Sequence, residues 1–347
     1  AGPGEAMARR WLLDFHYYWA TSRVIEHTIN EYPLWSFLFA DLHAHMMVMP
    51  FTMAFVALAA LWVRATVYRD GAVASGGGRL VLLLLLGLAL GSIIVTNAWS
   101  TPTYVLFLPF ALGLVWLVEG GYRGVLGFAG GLLGRVLLPT AAVAGLAWLF
   151  FQPFWANFAP PERNFGWEPT HRVAAGDFFE IFGLFLFVLV PFLLAVWVRG
   201  LRGGALLRGL LLAAALGLLG AALAVSTRSF LAVLFLLALA NLLAPGVDRR
   251  WRLPLAFAAF AFAVTAGTDV VYVWDRMNTI FKFYLESWFL MSIAAAAMVR
   301  ALWRGGWLHQ LWRVGLVLLI GIGVFTAVTG TYGVIHTDRV PTPEPSL

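Results

Sequence analysis

Long apolar runs separated by short polar connections dominate the chain, at residues 46 to 63, 80 to 96, 102 to 118, 133 to 151, 178 to 198, 205 to 225, 229 to 244, 253 to 268, 284 to 299 and 314 to 329. Each approaches the roughly 20 residues that a helix needs to cross a hydrocarbon core. The runs are rich in Leu, Ala, Gly and Phe and do not alternate at period two, so they predict helices and exclude barrel strands. The fold class they predict is all-α, a polytopic transmembrane helix bundle of about ten spans. The connections at 97 to 101 and 226 to 228 are so short that they predict tight helical hairpins.

Composition agrees. Of 347 residues 61% are hydrophobic and 12% charged, and the mean hydropathy is +0.85. A soluble globular domain carries about twice that share of charge, so that class is excluded. Cysteine is absent, which removes disulfide and thiol chemistry.

A net charge of +6 and a pI of 10.0 would suit a nucleic-acid binder, but the placement of the charges argues otherwise. Ten spans divide the connections into two sets. The set at 64 to 79, 119 to 132, 199 to 204, 245 to 252 and 300 to 313, with the adjoining span ends, holds 14 of the 23 basic residues and only three acids, Asp70, Glu119 and Asp248. The other set, with both termini, holds nine basic residues, 14 acids and six of the seven histidines. The positive-inside rule makes the first set cytoplasmic. The basic pI is then an orientation signal, no nucleic-acid partner is implied, and the active face is expected to be extracytoplasmic on the cell membrane. Residues 1 to 45 read as an outer, interfacial segment, 46 to 329 as the bundle and 330 to 347 as an outer tail. The chain opens Ala1-Gly2-Pro3 without Met or a signal-like stretch, although its first residues should already be outside. That predicts a fragment or processed chain lacking upstream spans, unless a short tail is translocated unaided.

Two outer clusters can carry chemistry. In the first, residues 11 to 30 place aromatic and apolar residues at helical spacing, which predicts an amphipathic helix in the interface with Tyr17, Tyr18, Trp19 and Trp35 in the headgroup belt. Glu31, Asp41, His43 and His45 then crowd the entry to the first span. On a helix Asp41 and His45 share a face; in an extended stretch Asp41, His43 and His45 do. Asp41, His43 and His45 could hold a divalent metal ion, or Asp41 or Glu31 could act as a general base. The plain alternative is a set of wet residues capping the next helix. In the second cluster Asp275, Asn278, Lys282 and Glu286 form one stripe about 80° wide at 100° per residue, and Lys282 is the sole lysine. Such a stripe should face the bundle interior or a water-filled cavity. Arg276 and Lys282 could bind phosphate; alternatively Lys282 pairs internally with Asp275 or Glu286. The break at 96 to 104 adds Asn97 and Trp99, and the Pro/Trp-rich connection at 152 to 172 suits headgroup anchoring or sugar stacking. Gly76 to Gly78 and Gly203-Gly204 lack phosphate-loop spacing.

At SRVIEHTINEYPLWSFLFADLHAHMMVMPF, TNAWSTPTY, PFWANF and DRMNTIFKFYLESWFLMSIAAA the sequence resembles the YYY family of uncharacterised polytopic membrane proteins from archaea and Chloroflexus-like bacteria, over essentially its whole length. That family is similar to the GT-C-type glycosyltransferases, which take sugar from a polyprenyl-phosphate carrier on the outer leaflet. The resemblance implies a GT-C-like bundle in contact with membrane lipid and a polyprenyl-phosphate-linked sugar as partner. It implies a catalytic acid on the first large outer loop, at Asp41 or else Glu31, although Asp41 is followed by His43 and His45 and makes no DxD pair. The expected substrate-binding residues are Arg276, Lys282, Asn278, Arg23, Asn97 and Trp99. The expected function is sugar transfer to an extracytoplasmic acceptor. A transporter or lipid flippase with the 275-to-286 stripe lining its path is the main competitor, and a non-catalytic scaffold the third reading.

Overall fold

The computed structural model describes residues 15 to 337 apart from 41, 71, 121 and 122, 160 to 164, 169, 171 and 304. Each of the ten apolar runs lies on a long helix. After two short helices, α1 (Phe15–Ala20) and α2 (Pro33–Phe39), come α3 (Ala44–Val63), α4 (Gly76–Thr96), α5 (Thr101–Glu119) and α6 (Gly124–Leu132). A π turn, Leu133–Leu137, runs α6 directly into α7 (Leu138–Phe150), and a similar turn, Arg64–Tyr68, extends α3. The chain continues through the single turn α8 (Gln152–Trp155) to α9 (Ala175–Gly200), α10 (Ala205–Val225), α11 (Thr227–Leu243), α12 (Arg249–Gly267), α13 (Arg276–Leu302) and α14 (Trp307–Thr337).

Eight of these helical stretches are long and apolar enough to cross a membrane. The other two are α11, which has 17 residues, and α12, whose hydropathy is lowered by Arg249, Arg250 and Arg252 at its start. Polar caps and prolines set the boundaries. Ser75, Ser226, Asp248 and Asp275 each accept a backbone N–H at the first turn of a helix, and Pro33 and Pro102 occupy first-turn positions where no N–H is needed. The predicted hairpins are present: residues 97 to 100 alone separate α4 from α5, and Ser226 alone separates α10 from α11.

In lipid the helices gain little from leaving one apolar solvent for another, so close packing must hold them. Gly87 and Gly91 let α4 approach α7: a Cβ at either would lie 2.4 Å from Leu146 and 2.3 Å from Phe151, respectively. Edge-to-face and tilted rings join Phe55, Tyr104, Phe107 and Phe260 across α3, α5 and α12. α13 is the most deeply packed candidate span and α14 the least. Leu206, Leu318 and many other side chains on the outer helices face outward, as lipid contact requires.

Long-range hydrogen bonds define the two ends. At one, Glu119 accepts from Arg249 and Arg252 at 3.1 and 2.6 Å, and the Tyr68 hydroxyl donates to the Arg249 carbonyl. At the other, Arg172 donates to the Val225 carbonyl and Thr227 to that of Val173. The two sets of connections separated by charge thus gather at opposite ends, one arginine-rich and one arginine-poor.

Two expectations at the arginine-poor end need correction. The segment 11 to 30 is not one helix: α1 stops at Ala20, and the chain turns through His27, whose φ is 57°. Tyr18 and Trp35 do not sit in a headgroup belt. Their rings stack at 5.1 Å and exchange hydrogen bonds with each other's carbonyls, which buries both; Trp19 stays exposed, and the Tyr17 side chain lies outside the described residues. The long connection is tethered to the protein: β1 (Phe165–Trp167) pairs antiparallel with β2 (Val271–Val273), just before α13. The Tyr272 ring lies over Gly166 there, where a Cβ would fall 1.9 Å from it and oblige the ring to swing aside. α14 also continues to Thr337, beyond the expected end of its span.

Candidate functional site

Glu31 precedes α2, whose start is fixed by Pro33, and His45 sits in the first turn of α3. This brings the Glu31 carboxylate under α2, where Oε2 accepts from Ser36 Oγ at 2.9 Å and lies 2.7 Å from His45 Nε2. On its other side, His45 Nδ1 lies 3.2 Å from Lys282 Nζ on α13. An ammonium has only donors, so Nδ1 accepts from Lys282, and Nε2 carries the hydrogen that it donates to Glu31. One tautomer satisfies the whole line. The His45 and Glu31 side chains are 3% and 8% exposed. Lys282 is half-buried, with its Nζ 3.6 Å from the centre of the Phe281 ring, which also meets the edge of His45.

One turn further along α13, Glu286 extends the line inward. Its carboxylate is buried and accepts from Ser100 Oγ at 2.5 Å and from the Tyr104 hydroxyl. Asn97 Nδ2 in turn donates to Ser100 Oγ at 3.0 Å. Ten residues separate Glu286 from the start of α13, which at 1.5 Å per residue is about 15 Å of helix. Ionisable groups at such depth are costly and mark functional positions by default.

Arg276 turns elsewhere. It lies six residues before Lys282 and so points about 240° away on the helix. Its neighbour is Asp269, which is 2% exposed. Neither Asp269 Oδ1 nor Arg276 Nη2 has a hydrogen-bond partner among the described residues. Burial pushes the Asp269 pKa up, while the Arg276 charge and the Val173 backbone pull it down. The expected phosphate pair is therefore split between two sites. Asn278 is committed to Asp275, which accepts from its backbone N–H at 2.7 Å and its side chain at 2.8 Å. Arg23 donates to Ser22 and covers the Trp19 ring; burial lowers its pKa and the charge of Glu31 raises it back. Trp99 stacks on Trp274 with ring centres 6.5 Å apart, and Trp274 holds a φ of 65° that a bulky residue seldom adopts.

A family described as "Uncharacterized membrane protein (DUF2298)" has a model that matches residues 2–291. The chain belongs to that family. It is thus an integral, multi-pass membrane protein, and the matched stretch contains the whole line from Glu31 to Glu286. No curated protein and no solved structure matches the chain.

Of the expected site residues, this member of the family brings Glu31, His45 and Lys282 together and sets Asn97 behind Glu286. Asp41 lies outside the described residues. His43 is exposed and stacks on His45 at 5.3 Å. The expected metal set of Asp41, His43 and His45 does not suit a cation: both His45 nitrogens are engaged and an ammonium stands 3.2 Å away. Among the described residues no three potential ligands gather. Sequence reasoning did not find Ser100, Tyr104 or Asp269. The four-residue spacing of Ser100 and Tyr104, matching that of Lys282 and Glu286, was the available signal for the first two.

Proposed function

We propose that this protein transfers a sugar from a polyprenyl-phosphate carrier to an acceptor hydroxyl at its arginine-poor end. The observation that carries this reading is the line Glu31–His45–Lys282, in which a carboxylate orients an imidazole whose unprotonated nitrogen accepts from a cation. The donor phosphate draws the Lys282 ammonium toward itself and uncovers Nδ1. The acceptor oxygen bonds to the anomeric carbon while its proton passes to Nδ1. The bond from that carbon to the phosphate oxygen breaks, and its electron pair leaves with the carrier phosphate. A single displacement of this kind inverts the anomeric centre. Glu31 is a positioning residue that holds the ring and stabilises the imidazolium. Asp41, four residues before His45, is the alternative base. A cavity of about 490 Å³, bordered by Thr21, Tyr32, Glu180 and Thr331 and not by the members of the line themselves, offers hydroxyls and a carboxylate to a polyhydroxyl ligand. No step runs through a metal, because the donor set does not suit one.

The test is incubation of the purified protein with a panel of radiolabelled polyprenyl-phosphate sugars and membrane acceptors. Label should reach acceptor with the native protein. A general base contributes about 10²- to 10⁴-fold, so His45→Gln should lose at least the lower figure. Glu31→Gln should lower kcat with KM unchanged, and Glu31→Asp should restore part of it. Full activity in both His45→Gln and Lys282→Met would overturn the assignment, and loss in Asp41→Asn alone would move the base there. One observation favours transport instead: the buried carboxylate of Glu286 lies inside a candidate spanning helix with hydroxyl partners, as in proton-coupled carriers. Solute or lipid flux in proteoliposomes without any sugar transfer would select that reading.

A further inference from the structure

At the arginine-rich end, a cavity of about 400 Å³ opens between α3, α4 and the junction of α6 with α7. Arg69, Arg79 and Arg135 line it together with Trp62, Thr66 and Leu83. Both π turns of the described structure end here. Arg64–Tyr68 delivers Thr66 and leads into Arg69, and Leu133–Leu137 contains Arg135. Such turns recur at functional sites in helices. Arg69 also takes a left-handed backbone, φ 55°, at a position that favours glycine.

The charges are not balanced from within. Among the described residues none of the three arginines meets a carboxylate; the adjacent Asp70 is taken by Arg64 at 3.3 Å, and Glu119 by Arg249 and Arg252. Trp62 adds an independent sign. It is 6% exposed, and its indole N–H, a donor only, finds no acceptor among the described residues. Buried donors are nearly always satisfied, so three cations and one orphaned N–H border a space whose lining holds no carboxylate. Orientation alone needs arginines on this side; it does not need them convergent around a cavity. Leu80, 57% exposed, and Pro139 complete the lining with apolar surface.

We infer that this cavity holds the phosphate of an anionic phospholipid, with Arg69, Arg79 and Arg135 as counter-charges, the Trp62 N–H as a hydrogen-bond donor and the acyl chains running outward over Leu80. Basic pockets between helices on the positively charged side of a membrane protein suit such headgroups.

Native mass spectrometry of the full chain released from detergent tests this, with phosphatidylglycerol, phosphatidylcholine and inorganic phosphate as probes. Phosphatidylglycerol should be retained about tenfold more than phosphatidylcholine, a difference in Kd of one decade. The double variant Arg79→Ala/Arg135→Ala should lose that preference. Gly134→Phe, which fills the cavity from an open position and keeps every charge, should lose it too. Arg208→Ala, an exposed arginine at the start of α10, should keep it. An equal loss in Arg208→Ala would overturn the site in favour of diffuse charge, and full retention in Gly134→Phe would show that the cavity is not where the lipid sits. Displacement of phosphatidylglycerol by millimolar inorganic phosphate would overturn the lipid in favour of a soluble anion.

Discussion

The two ends of the bundle handle charge in opposite ways. At the arginine-poor end the charges are interlocked in two neighbouring sets, Glu31 with Ser36, His45 and Lys282 and, one turn along α13, Glu286 with Ser100 and Tyr104. At the arginine-rich end the cations outnumber the acids, and Arg69, Arg79 and Arg135 border a cavity with no carboxylate among the described residues. The contrast follows from solvent. Charges drawn between packed helices must be neutralised by the protein itself, whereas charges at the edge can be neutralised by water or by lipid headgroups. An interlocked set marks chemistry inside the chain, and an unbalanced set marks a partner outside it.

The largest effect should come from the interlocked end. Lys282→Met leaves Glu31 and Glu286 without their ammonium, and breaking a buried charge set in this way costs about 3 kcal/mol. Unfolding in mixed micelles should show that loss, and sugar transfer should vanish. A stability equal to that of the native protein would mean that the line is not electrostatically coupled.

Gly166→Val should come next. Its side chain would oblige the Tyr272 ring to swing aside, at about 1 kcal/mol, the low end of overpacking costs, because the ring is only half-buried and can move. The long connection should become susceptible to protease while the helices stay formed; an intact connection would mean that the β1–β2 pairing does not tether it.

A smaller effect concerns Asp269. Its native pKa is raised above the ordinary 3.8 because it is buried, so the native state binds more protons than the unfolded one between those two values. The contribution of Asp269 to stability should therefore be fully present below about pH 4, be lost as pH rises through the native pKa and then level off. Asp269→Asn should flatten that slope in a thermal scan across the acid range. An unchanged slope would place its origin at another group.

The smallest effect should be that of Arg79→Ala in neutral detergent, within about 0.5 kcal/mol, since no partner in the described protein loses anything. Adding phosphatidylglycerol should stabilise the native protein more than this variant. Equal stabilisation would erase the contrast between the two ends.

Much of the fold was legible in the sequence because bilayer thickness imposes a length on apolar runs, and each of the ten runs lies on one long helix. The ends were less legible. Gly124 to Leu132 scans as a glycine-rich loop, yet it joins the helix of residues 138 to 150 through a π turn. Tyr18 and Trp35 have the composition of a headgroup belt, and only their mutual stacking across 17 residues reveals a buried pair. For the site, the stripe through Lys282 and Glu286 was visible because helical periodicity is local. That Glu286 answers to Ser100 and Tyr104, 186 and 182 residues away, depends on how α5 and α13 meet. The arginines told which side they lie on, while their convergence on one cavity arises from two π turns that no periodicity signals.

The commitment of both His45 nitrogens has a kinetic consequence. A ring anchored at Nε2 by Glu31 and at Nδ1 by Lys282 cannot flip without surrendering both anchors at once. In the proposed reaction Lys282 leaves Nδ1 before the proton arrives, so Glu31 at Nε2 would be the anchor that holds the ring, and the proton would leave from the same nitrogen with no rotation. The imidazole would then be a fixed relay contact and not a swinging arm, with its recovery set by proton release.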